Sequence, residues 1–306
     1  MVEMLDVLIV GDYCLDLIFT GMKSEPILGK EIVATGFNMT LGGTCNSALA
    51  MHRLGLKVAW AADFGNDQFS QYVLEKLNKE KFDSRYFIHH EKELKLLTVS
   101  LSYPHERAFV AYYDKGPLLP AAFSVINKTN AKWIYIPGLV HGPQMEAGLA
   151  LIKSRKMKIA MDGNYWDRLS LKNRSVRRAI EVCDLFFANA DEAKSLTGEN
   201  DLEKAAFQLS KICPVVAVKA GSQGAFAVAG EHVEYVPSIK IKALDTTGAG
   251  DCFNAGFIKA YLGGLTLREC LKWGNIVGGL STLGLGGVEK ITTSSDVAQW
   301  LKKYKD

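Results

Sequence analysis

Along the chain, short unbroken apolar runs alternate with longer stretches in which apolar residues recur every three or four positions. The runs at Val7–Val10, Val58–Ala61, Trp133–Ile136, Lys158–Met161, Leu185–Ala188 and Val215–Val218 read as strands. Several are continuously apolar, as strands covered on both faces are. Helical spacing falls near 44–54, 67–80, 143–155, 201–211, 250–262, 267–283 and 295–304. Strand then helix, repeated, predicts an α/β fold: a mostly parallel sheet with helices on both faces. In such sheets ligands sit at the carboxyl ends of the strands.

Two regions break the rhythm. Residues 13–40 hold Gly21, Gly29 and Gly36 among polar, hairpin-like segments. Within 85–113, "LLTVSLSYPHERAFVAYY" reads as two strands around a turn containing Pro104. Neither region carries a helix. Together they predict a small sheet over one edge of the main body, either a lid or a plain antiparallel extension. The chain shows no internal repeat and no low-complexity stretch, and its length allows one large core or two domains; the single domain across 1–306 rests on the resemblance given below.

Composition narrows the function classes. Of 306 residues 48% are apolar, and 36 Lys+Arg stand against 33 Asp+Glu. A near-balanced chain without a basic stripe interleaved with aromatics argues against nucleic acid as a partner. The six cysteines, at 14, 45, 183, 213, 252 and 270, form no Cys-x-x-Cys pair. They read as free thiols of a reducing cytoplasm, and no Cys or His pair has metal-ligand spacing. The opening run is flanked by Glu3 and Asp6 and is short, so it reads as a buried strand, with no leader and no membrane span.

The chemistry concentrates in "ALDTTGAGDCFNAGF", 243–257. Gly248-Ala249-Gly250-Asp251 stand at the start of a helical stretch, where unpaired N–H groups and the helix dipole favour an anion. Small residues there let a bulky anion approach the backbone, and Asp251 would lie beside it. Amides that hold a moving phosphoryl group and a carboxylate that takes the acceptor's proton are what phosphoryl transfer needs. Alone, the same four residues suit a plain turn with an N-cap Asp equally. In "TLGGTCNSALAMHRLG", 40–55, Gly42-Gly43 precede a helical segment with Asn46 in its first turn. A ligand can lie against such a backbone, and Asn offers a polyol both a donor and an acceptor. The Gly-x-Gly-x-x-Gly dinucleotide fingerprint is absent there. In "GDYCLDLIF", 11–19, Asp12 and Asp16 follow the first strand; a solvated turn suits Asp12 better than Asp16.

With both glycine stretches in view, the chain resembles the PfkB carbohydrate kinase family over essentially its whole length. Gly42, Gly43, Asn46 and Gly55 match the family's first signature. Asp245, Thr246, Gly248, Ala249, Gly250, Asp251 and Phe253 match its second. "FGNDQFSQYVLEKL" (64–77), "NADEAKSLTG" (189–198) and "VKAGSQGAFA" (218–227) resemble further family segments. The resemblance implies a ribokinase-like three-layer sandwich, with a mostly parallel central sheet and a small β-sheet lid formed by about 13–40 and 85–113. It implies ATP-dependent phosphorylation of a small sugar. Asp251 would be the base, and the amides of Gly248, Ala249 and Gly250 the anion hole. Asp16, Gly42, Gly43 and Asn46 would hold sugar hydroxyls. Asn189 and Glu192 would act near the phosphates, Glu192 organising Mg²⁺ mainly through water. Lys219, Gly221, Ser222 and Gly224 would line the ribose and phosphates, and Asn275 would lie near the adenine. Asp245 and Thr247 match a loop that in many members binds a monovalent cation such as K⁺. In some members the lid also forms a homodimer interface. Trp166 stands where the family carries Arg, with Arg168 two residues later, and Thr44 and Cys45 stand where sugar-phosphate enzymes often carry Lys. These departures favour an unphosphorylated sugar, such as ribose, fructose or ketodeoxygluconate. The alternatives are a nucleoside kinase, with Tyr13, Phe109, Tyr112 or Tyr113 stacking on a base, and a non-catalytic sugar or nucleotide sensor.

Overall fold

The run Leu5–Val10 forms β1, and alternation parts its side chains: Val7 and Ile9 enter one apolar layer, Leu8 and Val10 the other. The same division recurs at Trp133 and Tyr135 against Ile134 and Ile136, and at Leu185 and Phe187 against Phe186 and Ala188. An unbroken apolar strand is thus a two-sided one, and the sheet between the two layers is the middle of three. The computed structural model describes residues 4–103, 107–114, 120–164, 169–290 and 292–304. After β1 come β2 (Tyr13–Thr20), β3 (Gly36–Gly43), α1 (Thr44–Arg53), β4 (Val58–Phe64), α2 (Gln68–Lys79), β5 (Phe87–His89), β6 (Leu96–Ser102), β7 (Arg107–Tyr113), α3 (Pro120–Ile126), β8 (Ala131–Ile136) and α4 (Pro143–Ser154). There follow β9 (Lys158–Asp162), α5 (Arg174–Glu181), β10 (Leu185–Asn189), α6 (Ala190–Thr197), α7 (Leu202–Ser210), β11 (Val216–Lys219), β12 (Ala225–Ala229), β13 (His232–Val236), α8 (Ala249–Leu262), α9 (Leu267–Ser281) and α10 (Ser294–Leu301).

The large sheet has nine described strands in the order β13-β12-β11-β10-β9-β8-β1-β4-β5. It is parallel from β5 to β11, and β12 and β13 complete one edge as an antiparallel hairpin. The chain leaves β1 toward β4 on one side and later returns to β8 on the other, so strand order reverses at β1. Helices α1, α8 and α9 cover one face; α4, α5, α6 and α7 cover the other. The α/β architecture expected from the sequence is present.

A second sheet, β3-β2-β6-β7, draws on the two strand-rich regions. Its centre is a parallel β2–β6 pair, flanked by antiparallel β3 and β7. Strand β5, inside the second region, pairs instead with β4 at the edge of the large sheet. Asp67 fixes where α2 begins and where the chain turns into β6: its carboxylate accepts the N–H groups of Phe69, Ser70 and Leu94.

Helices α3, α5 and α6 fall where the pattern predicts none. In the basic segment of α5 only Val176, Ala179 and Ile180 are buried, a stripe too narrow to stand out. Helix α6 is held at its start by a reciprocal cap between Asn189 and Glu192. Pro104, Trp166 and Arg168 lie outside the described residues.

Candidate active site

Three polar residues end three neighbouring strands. Asp162 closes β9, Asn189 closes β10 and Lys219 closes β11; Phe187 lies opposite Asp162 and Asn189 opposite Lys219. Lys219 Nζ donates to Asp162 Oδ2 at 2.7 Å. Helix α8 starts above this edge. Gly248, its N-cap, has φ 71°, a left-handed conformation that favours glycine. A Cβ there would also lie 2.7 Å from Asn46 Nδ2 and from Gly287 Cα. The turn closes through Ala249 N–H, which donates to Thr246 O at 3.2 Å.

Asp251, in the first turn of α8, faces α1. Asn46 Nδ2 stands 3.1 Å from its Oδ2, and Ser47 Oγ stands 3.3 Å from its Oδ1. Burial first, and then the neighbouring Asp162 charge, push its carboxyl up to about 6, against the pull of Asn46, Lys219 and Ser47. On its other side opens a cavity of about 470 Å³. Every residue expected on the catalytic and nucleotide sides lines it: Gly248, Ala249, Gly250, Asp251, Asn189, Glu192, Lys219, Gly221, Ser222, Gly224 and Asn275. Asp162 and Asn164 share its polar end; Ile239, Ile241 and Phe253 form an apolar end.

Asp16, Gly42, Gly43 and Asn46 do not line this cavity. Asn46 reaches Asp251, while Gly42 packs against Asp16. Asp16 is buried, and its carboxylate lies so near Gly42 that a Cβ there would come within 2.2 Å of Oδ2. Burial, aided by the charges of Asp251 and Asp245, raises the Asp16 carboxyl to about 6. Asn46 Oδ1 is buried without a hydrogen-bond partner. Asp12 is exposed.

Several expected groups already have structural partners. Asn189 and Glu192 cap each other: Asn189 N–H and Nδ2 donate to Glu192 at 2.8 and 2.7 Å, and Glu192 N–H donates back to Asn189 Oδ1 at 2.8 Å. Burial and the Asp162 charge, opposed by Lys219, raise the Glu192 carboxyl to about 7. Asn275 Nδ2 is held by the carbonyls of Val236 and Pro237 at 3.1 and 3.0 Å. The Asp245 carboxylate accepts Thr247 N–H at 2.9 Å and Gly286 N–H at 2.7 Å. Burial alone would raise its carboxyl, but these N–H groups and Arg107 hold it below the usual value. The Arg107 guanidinium, from β7, pairs with Asp245 and also donates to Thr246 Oγ1 and to Thr247 Oγ1. The side chains of Asp245 and Thr247 therefore do not fit a monovalent cation as they stand, because an arginine occupies their outward oxygens.

The sequence reading passed over Asp162 as a site residue, and Ser47, Tyr135 and Asn254 altogether. One signal was available: Tyr135 is a hydroxyl inside a continuously apolar strand, and buried tyrosines find partners.

Comparison with known proteins places the fold and the family. The chain is 26% identical over 296 residues to a 2-dehydro-3-deoxygluconokinase of Bacillus subtilis, covering 90% of this chain and 91% of that one. Arabidopsis thaliana ribokinase complexed with ribose and ATP superposes with a TM-score of 0.83 at 19% identity, covering 98% of this chain and 99% of that one. A nucleoside kinase of Burkholderia thailandensis in complex with inosine gives 0.79 at 16% identity, covering 97% of each. The fold is therefore ribokinase-like. The model of the pfkB family carbohydrate kinases matches residues 4–293, and this chain belongs to that family of phosphotransferases.

Proposed function

We propose that the chain transfers the terminal phosphoryl group of ATP to a hydroxyl of a small, unphosphorylated sugar of the ribose, fructose or ketodeoxygluconate kind. One observation carries this reading: Asp251 both lines the cavity and accepts a hydrogen bond from Asn46, one of the residues expected to hold the sugar. In this scheme Asp16 and the unpartnered Asn46 Oδ1 bind the sugar hydroxyls. Asp251 takes the proton of the attacking hydroxyl as its oxygen bonds to phosphorus and the bond to the nucleotide diphosphate breaks. The N–H groups of Gly248 and Gly250 stabilise charge on the moving group; that of Ala249, expected beside them, donates instead to Thr246 O. The apolar end at Ile239, Ile241 and Phe253 accepts the base, and Lys219 faces the phosphates. Arg107 and Lys219 are both engaged with carboxylates, which leaves a sugar phosphate poorly served here.

Mg²⁺ fits the polar end, where Asp162 Oδ1 is buried without a partner and Glu192 is held beside it. Glu192 would hold the ion through water, and the ion would neutralise phosphate charge. The small sheet acts as a lid, Arg107 being its tie to the 245–247 loop. Its exposed Phe37, Phe109, Val110 and Tyr112 are the surface a homodimer would cover. Six cysteines, all free and buried, suit a cytoplasmic enzyme. Turnover of a panel of sugars and nucleosides with ATP tests the reading. Phosphorylation of a free sugar supports it; turnover of adenosine, cytidine or inosine with no sugar turned over would make the chain a nucleoside kinase.

A further inference from the structure

From Asp251 a line of buried polar groups runs through the protein interior and returns to the cavity wall at Asp162. Ser47 Oγ lies 3.3 Å from Asp251 Oδ1 and 3.4 Å from the Tyr135 hydroxyl. Asn254 Nδ2 donates to the Tyr135 hydroxyl at 3.0 Å and to Asp162 Oδ2. Asp162 Oδ2 also receives Lys219. Ser47, Tyr135 and Asn254 are 0% exposed and Asp162 is 3% exposed. Proton counting gives the line a direction. Ser47 has one proton, and a carboxylate is the stronger acceptor, so Ser47 donates to Asp251. The Tyr135 hydroxyl accepts from Asn254 and stands as a second acceptor for the single Ser47 proton. At the far end, Lys219 Nζ lies 3.4 Å from where a Cβ on Gly250 would stand. The half-buried ammonium thus sits beside the turn. Four buried polar side chains drawn from α1, β8, β9 and α8 cost more than apolar ones of the same size unless each is satisfied.

We propose that Asp162, Asn254, Tyr135 and Ser47 are positioning residues, forming one buried bridge that holds Lys219 and Asp251 in register on either side of the Gly248–Gly250 turn. The proposal rests on the reading of Asp251 as the base. It makes the base and the phosphate-facing cation one mechanical unit. Hydrogen bonds passed along such a line polarise one another, so a change at one end is felt at the other.

Two measurements test the bridge. With ATP and whichever sugar the panel selects, Ser47→Ala and Tyr135→Phe are each expected to lower kcat about 10-fold with KM within about twofold, and Ser47→Thr to restore most of it. Ser47→Ala combined with Asp162→Asn is expected to lose less than the product of the two single losses. Independent losses, multiplying fully, would overturn the bridge. The second measurement needs no turnover: the Asp251 carboxyl is titrated by ¹³C NMR, identified by its absence in Asp251→Asn. The groups facing it are Asp16, Tyr135, Asp162, Lys219 and Cys252. Tyr135→Phe, which does not touch Asp251, removes the competing acceptor for the Ser47 proton and is expected to move the Asp251 titration down by about half a pH unit. No movement would overturn the bridge even if the kinase reading stands. Should the wild-type protein phosphorylate no alcohol, the kinase reading falls alone and the titration still decides the bridge. If Asp162→Asn does not fold, Tyr135→Phe decides by itself.

Discussion

Glycine at position 42 is a requirement of one carboxylate. β2 pairs with β3 so that Asp16 faces Thr40, and the Asp16 oxygens fill the space a side chain at 42 would need. Gly42→Ala is expected to displace Asp16 and raise the KM for sugar at least ~10-fold, with ATP affinity unchanged; calorimetric titration of each ligand separates the two. Equal weakening of both would mean that α1 as a whole had shifted. At this scale much of the site was legible. Gly42, Asn46, Gly248 and Asp251 announce themselves because glycine pairs before a helix start are costly without a use. Ser47 and Asn254 were not legible, since each lies in a helical stretch whose pattern describes only packing, and Tyr135 left a single signal, a hydroxyl inside an apolar strand.

Among the elements, α6 shows how one pair of residues can carry two roles. Asn189 and Glu192 form a reciprocal cap that any helix could use, yet both also line the cavity. Gln at the third helical position keeps such a cap. Glu192→Gln is therefore expected to leave the melting temperature within a few degrees while raising the Mg²⁺ concentration needed for half-maximal rate several-fold. A large loss of stability with unchanged Mg²⁺ dependence would reduce the residue to its cap. The strands of the parallel sheet were legible because burial on both faces demands unbroken apolar runs. Helices α3, α5 and α6 escaped because each is about two turns long and buries only a few side chains; in α5 and α6 the Asn173 and Asn189 caps do what periodicity does in longer helices.

Across the whole molecule, acids are crowded at one end of the sheet, and folding pays for it in the unliganded state. Asp16 and Asp251 are raised from 3.8 to about 6, and Glu192 from 4.5 to about 7. The folded state then binds protons more tightly than the unfolded chain between about pH 4 and 7, so stability falls as pH rises through that window. Asp67 and Asp245 are lowered and act oppositely: their contribution is present above the ordinary value and lost on acidification. The melting temperature of the unliganded protein is expected to fall from about pH 5 to pH 7.5, and Asp251→Asn to recover a few degrees at the upper end. A melting temperature that rises across this range would contradict the crowding. The small sheet supplies a second test at this scale. Sedimentation at micromolar concentration is expected to give a dimer, and Phe37→Ser with Val110→Ser a monomer; a wild-type monomer would assign those exposed side chains another use. A mostly parallel sheet covered by helices on both faces could be anticipated from alternation alone, whereas the reach of Arg107 from β7 to Asp245 spans 138 positions of chain, a distance no local pattern reports.

The central claim is that one carboxylate at the start of α8 takes the proton of the acceptor hydroxyl. Single-turnover phosphoryl transfer by Asp251→Asn, measured beside its ATP affinity, tests it most directly: the rate is expected to drop at least ~10²-fold with ATP affinity held within a few-fold. Transfer at near wild-type rate by that variant would contradict it.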